Sequence, residues 1–277
     1  MTCEVTAVNE HGEHISVAIP AERALTVYLD KRELVTLMTL GAQPELLVLG
    51  YLRNQRLVKS AADIESITVD WDVGAAAVKT RHGVADIEEK TSKRVVTTGC
   101  GQGSVFGGLM DEVDHIKLPQ SASITQSQLY ALVNSIRLKE TTYKSAGSVH
   151  ACALFDATGG EPEMLIFVED VGRHNAIDTI AGWMSIQADQ PTNKVFYTTG
   201  RLTSEMVIKS AQMGVPIVIS RSGITQMAHQ VAQTVGLCAI GRATNKRFVC
   251  YTAAERLMLE PGLLGHTAHT LEPSLRT

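Results

Sequence analysis

Short apolar runs alternate with helix-like segments from about residue 123 onward, and this alternation limits the fold more than any other feature of the chain. Over residues 125–139, apolar side chains recur at the i, i+3, i+4 and i+7 spacing of an amphipathic helix. The same reasoning predicts helices at 175–185, 203–213 and 226–235, and strands at 149–155, 165–169, 195–199, 215–220, 237–240 and 247–251. Because strands that alternate with helices favour parallel pairing and right-handed crossovers, we expect an α/β fold with mostly parallel pairing.

The first part of the chain is instead rich in predicted strands. Alternating or apolar runs predict strands at 15–19, 24–29, 33–38, 64–71, 74–79 and 93–98, and one helix at 44–57 with proline in its first turn. We therefore expect a smaller strand-rich N-terminal part (residues 1–122), an α/β ligand-binding part (123–260) and a loose tail (261–277).

Composition argues against several classes of protein. The chain has 277 residues with 25 basic and 29 acidic side chains, and a net charge of −4 argues against a general nucleic-acid binder. It shows no secretory signal pattern, and no apolar run approaches the roughly 18 to 20 residues of a membrane span. Its five cysteines include no Cys-x-x-Cys pair, which fits a reducing compartment better than a disulfide framework. We expect a cytoplasmic protein that binds neither nucleic acid nor a membrane.

A dense polar cluster, Glu-Asp-Val-Gly-Arg-His-Asn-Ala-Ile-Asp, occupies residues 169–178 directly after the apolar run 164–168. Ligands of α/β sheets bind in the crevice at the carboxyl ends of the strands, so this cluster predicts the floor of a pocket. A solvated turn with an aspartate cap is the simpler alternative. That alternative accounts for Asp170 but not for the adjacent Arg173, His174 and Asn175.

Three successive strand-to-helix turns each carry one arginine, namely Arg173, Arg201 and Arg221. Hydroxyl groups and helix N-terminal N–H groups accompany the last two, an arrangement that suits an anionic group. Capping alone would explain any single turn, but three together predict a phosphate-bearing ligand laid across the edge of the sheet. Residues 242–247 link the last two predicted strands and form either a solvated hairpin or another basic wall of the same pocket.

Cys100 is the cysteine that we expect to be reactive. Glycines on both sides leave its sulfur accessible and its backbone adaptable, which suits a nucleophilic or sulfur-carrying thiol. The loop lacks the Gly-Lys-Ser/Thr sequence of a nucleotide P-loop. Among the other cysteines, Cys3 is expected in a flexible terminus, whereas Cys152, Cys238 and Cys250 fall in predicted strands and are expected to be buried.

A nucleotide hydrolase or deaminase that uses His150, Glu169 and His174 is a further alternative. Asp170, His174 and Asp178 would also share one helix face and could hold a metal ion. However, a zinc deaminase needs a Pro-Cys-x-x-Cys motif, and proline 119 is followed by glutamine in this chain. We therefore expect no tightly held metal.

With these residues in view, the chain resembles the formate dehydrogenase accessory sulfurtransferase family (FdhD-type proteins) over residues 19–257. The cluster at 169–178 is the most specific match. The segments Ser-Val-His-Ala-Cys-Ala-Leu at 148–154, Thr-Gly-Arg-Leu-Thr-Ser-Glu at 199–205 and Ile-Val-Ile-Ser-Arg-Ser at 217–222 fit in order and spacing.

The resemblance implies a cytidine deaminase-like mixed sheet with helices on both faces, in a cytoplasmic homodimer that serves formate dehydrogenase. Members take persulfide sulfur from a cysteine desulfurase and pass it to the molybdenum or tungsten centre of a guanine-dinucleotide pterin cofactor, which is bound as cargo. Cys100 matches the first cysteine of the family's Cys-x-x-Cys loop, whereas Gly103 replaces the second. Residues 242–247 match a loop that contacts the cofactor.

We therefore expect a sulfurtransferase, that is, a sulfur carrier, in which Cys100 is the catalytic residue. A non-catalytic chaperone that binds the molybdenum cofactor is the alternative, because Gly103 removes the second thiol. The residues expected to contact the molybdopterin guanine dinucleotide, or a related guanine nucleotide, are His150, Asp170, Arg173, His174, Asn175, Arg201, Arg221, Arg242, Ala243, Thr244, Asn245, Lys246 and Arg247.

Overall fold

A computed structural model describes residues 1–84, 87, 113–139, 141–188 and 191–263. Its helices are α1 (Pro44–Asn54), α2 (Gln126–Lys139), α3 (Thr142–Ala146), α4 (Arg173–Ile186), α5 (Ser204–Gln212) and α6 (Gln226–Val235). Its strands are β1 (Thr2–Val8), β2 (His14–Pro20), β3 (Arg23–Leu29), β4 (Arg32–Thr39), β5 (Ile64–Asp70), β6 (Ala75–Thr80), β7 (Ile124–Thr125), β8 (His150–Asp156), β9 (Glu163–Asp170), β10 (Lys194–Thr198), β11 (Ile217–Ser220), β12 (Cys238–Thr244), β13 (Arg247–Cys250) and β14 (Leu257–Met258).

The central sheet is mixed, with the strand order β13-β12-β11-β10-β8-β9. β11 pairs in parallel with both β10 and β12, whereas the β8–β9, β8–β10 and β12–β13 pairs are antiparallel. The expectation of mostly parallel pairing is therefore wrong, although the mixed sheet is confirmed. The physical reason is the short connection between β8 and β9, because only antiparallel neighbours can be joined without a long crossover.

Apolar side chains fill both faces of the central sheet. On one face, α4, α5 and α6 pack against strand residues such as Leu154 and Phe196. On the other, α2 packs against the intervening residues, such as Phe155 and Tyr197. Because successive side chains of a strand point to opposite faces, this alternation places helices on both sides of the sheet, as the family resemblance implies.

The N-terminal part has a core of its own. Its sheet has the order β4-β3-β6-β5, and α1 packs on that sheet through Leu47, Val48 and Leu52. α1 also packs against α4, which links this part to the central sheet. A hairpin of β1 and β2 comes first along the chain, so exposed Cys3 lies in a strand rather than in the expected flexible terminus.

Several expectations fall outside the described residues. The strand expected at 93–98, Cys100, Gly103 and the tail from residue 264 onward all lie there. Among the described helices, none is long and apolar enough to cross a membrane. The boundary at residue 122 and the likeness to cytidine deaminases stay predictions.

Candidate functional site

The arginine-bearing turns lie at one edge of the central sheet. β10 ends at Thr198 beside Ser220 at the end of β11, because these parallel strands are in register. The antiparallel strand β8 begins at the same edge with His150, which is paired with Asp170 at the end of β9. The turns after β9, β10 and β11 consequently share this edge, as the sequence predicts. We call it the cationic edge and define it by His150, Arg173, Arg201, Arg221 and Arg242.

Arg173, the first residue of α4, passes close to Gly200 in the turn after β10. A Cβ atom at Gly200 would lie 2.8 Å from Cδ of Arg173 and 3.4 Å from Nδ1 of His150, so glycine permits this approach. Burial and the charges of Arg173 and Arg201 lower the pKa of His150 below its ordinary value. The imidazole is therefore neutral at neutral pH, where it can donate one hydrogen bond and accept another.

Serine hydroxyls tie the turns after β10 and β11 together. Oγ of Ser220 donates to the carbonyl of Gly200 at 2.7 Å, and Oγ of Ser222 donates to the carbonyl of Thr199 at 2.8 Å. The backbone N–H of Arg242 donates to the carbonyl of Ser222 at 2.7 Å, which holds β12 against the same turn. These bonds fix the backbone of three neighbouring strand ends.

The arginines of the cationic edge differ in their surroundings. Arg201 is exposed, and so is Arg242, which lies in a bulge of β12 with a φ of 54°. The guanidinium of Arg221 lies 5.3 Å from the centre of the Tyr143 ring, within the range of a cation–π contact. Exposed guanidinium groups beside a fixed backbone suit the binding of an anionic group.

The segment 242–247 is a hairpin, and only part of it faces solvent. Ala243 is 1% exposed and packs in the core on the α2 side of the sheet, so its side chain faces away from any ligand. Asn245, with a φ of 51°, forms the turn with Lys246, whose carbonyl accepts a hydrogen bond from the hydroxyl of Tyr130 on α2. The remaining exposed residues of the segment are Arg242, Thr244 and Arg247. The hairpin thus begins at the cationic edge and reaches α2 at its tip.

Asp170 and Asn175 join the N-terminal sheet to the central sheet. The Asp170 carboxylate accepts hydrogen bonds from Oγ1 of Thr39, from the N–H of Leu40 at 3.2 Å and from Nδ2 of Asn175 at 2.8 Å. Nδ2 of Asn175 also donates to the carbonyl of Met38. Burial raises the pKa of Asp170, and its hydrogen bonds only partly oppose that rise. Both side chains are engaged within the protein, and a contact from either to a ligand stays a prediction.

Glu169 caps a short helix. Its carboxylate accepts hydrogen bonds from Oγ1 of Thr141 at 2.9 Å and from the N–H groups of Thr142 at 2.9 Å and Tyr143 at 3.1 Å, at the start of α3. Burial alone would raise the pKa of Glu169, but these hydrogen bonds outweigh it and lower the pKa. A carboxylate held as an anion in this way is poorly suited to proton transfer, which weakens the hydrolase alternative.

His174 is buried beside three charged side chains. Its Nδ1 lies 3.5 Å from Oε1 of Glu205, and Nζ of Lys209 lies 3.4 Å from the same oxygen and 2.9 Å from Oδ1 of Asp178. Despite the nearby carboxylate, burial and the charges of Lys209 and Arg173 lower the pKa of His174 to about 2. The imidazole is therefore neutral, and it belongs to a buried cluster that we define by Asp178, Glu205, Lys209 and His174 and call the buried charge cluster.

Comparison with known proteins identifies the family. Residues 20–258 match the FdhD/NarQ family. The chain belongs to this family. It is 31% identical to the sulfur carrier protein FdhD of Bacillus subtilis (strain 168) over 264 residues, which cover 93% of this chain and 99% of that protein. It is 27% identical to the protein of the same name from Listeria monocytogenes serotype 4b, with 88% and 93% of the two chains covered.

A solved structure shares the fold of this FdhD/NarQ family member. The crystal structure of a formate dehydrogenase accessory protein from Desulfotalea psychrophila superposes with a TM-score of 0.76 at 22% identity. The match covers 93% of this chain and 99% of the other. At this level of identity, the comparison shows that the two proteins share the mixed α/β fold.

Sequence reasoning missed Glu205 and Lys209 of the buried charge cluster, and it missed Asn54, which contacts Asp178 of that cluster. Lys209 is 1% exposed, and Asn54 of α1 donates to Oδ1 of Asp178 at 2.6 Å. One sequence feature could have indicated these buried ion pairs: Lys209 lies four residues after Glu205 on a helix face that is otherwise apolar. Among the described residues, no His, Cys, Asp and Glu side chains are grouped to hold a metal ion, so the structure does not support Asp170, His174 and Asp178 as metal ligands.

Proposed function

We propose that this member of the FdhD/NarQ family is a sulfur carrier that serves formate dehydrogenase. The similar proteins of Bacillus subtilis and Listeria monocytogenes bear the name sulfur carrier protein FdhD, and the similarity extends over most of the chain. The observation that carries the proposal is the cationic edge, where exposed Arg201 and Arg242 accompany Arg173 and a neutral His150. This edge lies at the carboxyl ends of β9, β10 and β11, where α/β sheets bind their ligands.

The cargo that we assign to the cationic edge is a molybdopterin guanine dinucleotide. Guanidinium groups pair with phosphate oxygens through two parallel hydrogen bonds, so Arg201 and Arg242 suit the two phosphates of a dinucleotide. Gly172 is the N-cap residue of α4, so Arg173 lies at the N-terminus of a helix, where the helix dipole favours an anionic group. These features support a nucleotide of this charge, with the metal centre of the cofactor as the substrate that receives sulfur.

Cys100 is the thiol that we propose as the sulfur acceptor, and it lies outside the described residues. Its thiolate attacks the outer sulfur of a persulfide on a cysteine desulfurase. A sulfur–sulfur bond forms at Cys100, and the desulfurase thiolate leaves. The molybdenum or tungsten centre of the cofactor, as the substrate, would then accept this sulfur as sulfide: the sulfur–sulfur bond at Cys100 breaks, the Cys100 thiolate leaves, and the two electrons that reduce the sulfur come from the metal centre. We further propose that the protein acts in the cytoplasm as a homodimer.

Sulfur loading tests the role of Cys100. After incubation with a cysteine desulfurase and cysteine, the peptide that contains Cys100 should gain one sulfur atom, about 32 Da, in non-reducing mass spectrometry. Cys100→Ala should lose this adduct, while Cys152→Ala, a matched change at a fully buried thiol, should keep it. Equal sulfur uptake by Cys100→Ala and the unaltered protein would remove Cys100 from the mechanism.

Ligand binding tests the cationic edge. Arg201→Ser and Arg242→Ser should each weaken the binding of guanosine diphosphate about tenfold, since each loses a charge-assisted hydrogen bond to a phosphate. Arg81→Ser, which removes an exposed arginine directly after β6, should leave the dissociation constant unchanged. Isothermal titration calorimetry gives all three values. If the first two variants bind as the unaltered protein does, the cationic edge is not the binding site.

A cofactor-binding chaperone without sulfur transfer is the second candidate. The observation that favours it is Gly103, which stands where the resemblance leads us to expect a second cysteine. Both candidates require the cationic edge to bind the nucleotide. Only the sulfur carrier requires the adduct at Cys100, so binding without any sulfur loading would select the chaperone.

A further inference from the structure

Two cysteine thiols face each other across the hairpin of β12 and β13. The Sγ atoms of Cys238 and Cys250 lie 3.9 Å apart, within reach of a weak S–H hydrogen bond. Both cysteines are predicted from the sequence to be buried. The other described cysteines have no such neighbour: Cys152 donates to Thr198, and Cys3 is exposed on β1.

The two thiols differ in their access to solvent. Cys238 is fully buried, whereas Cys250 is half-buried and lines a cleft of about 400 Å³ together with Gly236, Tyr251 and Glu255. A small sulfur compound in this cleft would therefore meet Cys250 first. Cys238 could act only on a group already attached to Cys250.

The contact between the thiols also makes their pKa values differ. The contact with Cys238 lowers the pKa of Cys250, and the contact with Cys250 together with burial raises the pKa of Cys238. Since the thiolate is the nucleophile, the more accessible cysteine is also the one that more readily attacks. The buried partner keeps its proton until the second step.

We propose that Cys250 and Cys238 form a second sulfur site, at which a small persulfide is discharged as hydrogen sulfide. The proposal rests on the proposed function, because a sulfur carrier works where persulfides are present. The ligand class is a low-molecular-weight persulfide, RSSH. The site lies far along the sequence from Cys100.

The chemistry balances without an external oxidant. In the first step the Cys250 thiolate attacks the outer sulfur of RSSH, a sulfur–sulfur bond forms at Cys250, and RS⁻ leaves and takes up a proton. In the second step the Cys238 sulfur attacks the inner sulfur of the Cys250 persulfide and expels HS⁻, which takes the Cys238 proton. The products are RSH, hydrogen sulfide and a disulfide between Cys238 and Cys250, so the sulfane sulfur is the atom that is reduced. The two Sγ atoms must approach by roughly 2 Å to reach disulfide bond length.

Glutathione persulfide is the probe that tests this proposal, used below one equivalent on a reduced protein that carries Cys3→Ser and Cys100→Ala. In this background we expect close to one hydrogen sulfide per persulfide added, together with a cross-linked peptide pair that has lost two hydrogen atoms. Cys250→Ser should abolish both signals. Cys238→Ala should keep one extra sulfur on Cys250 and release at least tenfold less sulfide.

Cys152→Ala supplies the matched control, since it removes a buried strand thiol away from the pair. Its sulfide release should equal that of the background protein. The proposal is overturned if Cys250→Ser releases as much sulfide as the background, or if no link between Cys238 and Cys250 forms. Because Cys100 is absent from this background, failure here leaves the Cys100 loading experiment unaffected and separately decisive.

Discussion

Alanine in place of Gly50 should destabilise the protein by on the order of 3 kcal/mol, because it inserts a methyl group where two helix backbones touch. A Cβ atom at Gly50 of α1 would lie 1.7 Å from the backbone oxygen of Asp178 in α4. The contact is reciprocal, since a Cβ at Gly182 of α4 would lie 1.9 Å from the backbone oxygen of Leu46. In both cases the atoms in the way belong to a helix backbone, which cannot move aside as a side chain can. The two helices must therefore separate, and the apolar contacts of α1 weaken as a result. We expect the same result for Gly182→Ala.

Urea denaturation measures this effect as a fall in the midpoint at an unchanged m-value. Gly160→Ala is the matched control, because a Cβ atom there meets nothing within 4 Å and the backbone needs no left-handed conformation. The control should move the free energy of unfolding by less than about 0.5 kcal/mol. An unchanged midpoint for Gly50→Ala would mean that α1 and α4 do not pack as closely as described.

Sequence reasoning located the secondary structure well because its signals are local. The spacing of apolar residues that predicts a helix over 125–139 needs only the residues of that helix, and α2 spans Gln126–Lys139. Strand pairing is not local in this sense. The antiparallel pairing of β8 with β9 was nonetheless accessible, since the turn at 157–160 leaves no room for a crossover helix. The place of β8 beside β10 depends on packing across the whole sheet.

The difference between local and long-range interactions also explains which parts of the site could be predicted from the sequence. Arg221 follows β11 directly and Arg201 lies three residues after the end of β10, so the rule that parallel strands end at a common edge brings their turns together. The roles of Asp170 and Glu169 were not accessible, because their partners lie far along the chain. Thr39 is 131 residues from Asp170, and no pattern within the segment 169–178 indicates that its carboxylates bind neighbouring elements.

Lys209→Met should destabilise the protein by about 3 to 5 kcal/mol, because it removes the positive partner of the buried charge cluster. Nζ of Lys209 lies 2.9 Å from Asp178 and 3.4 Å from Glu205, and the side chains of all three are less than a tenth exposed. Burial alone would lower the pKa of Lys209, but the two carboxylates outweigh it and raise the pKa, so the lysine is charged. Methionine fills a similar volume, and the loss therefore comes mainly from unpaired buried carboxylates. The free energy of unfolding in urea gives its size.

The pair of Lys79 and Glu65 supplies the control for charge removal. Their charged atoms are closer, at 2.7 Å, but the side chains are 66% and 44% exposed, so Lys79→Met should cost less than about 1 kcal/mol.

Dependence on pH separates electrostatics from packing in Lys209→Met. Burial already raises the pKa of Asp178, and loss of the lysine raises it further, so the folded variant binds more protons than the unfolded chain. The free energy of unfolding of the variant should then fall as pH rises. The difference in this free energy between the variant and the unaltered protein should therefore be larger at pH 8 than at pH 5. A deficit that stays constant over this range would attribute the loss to packing alone and contradict the role assigned to the lysine charge.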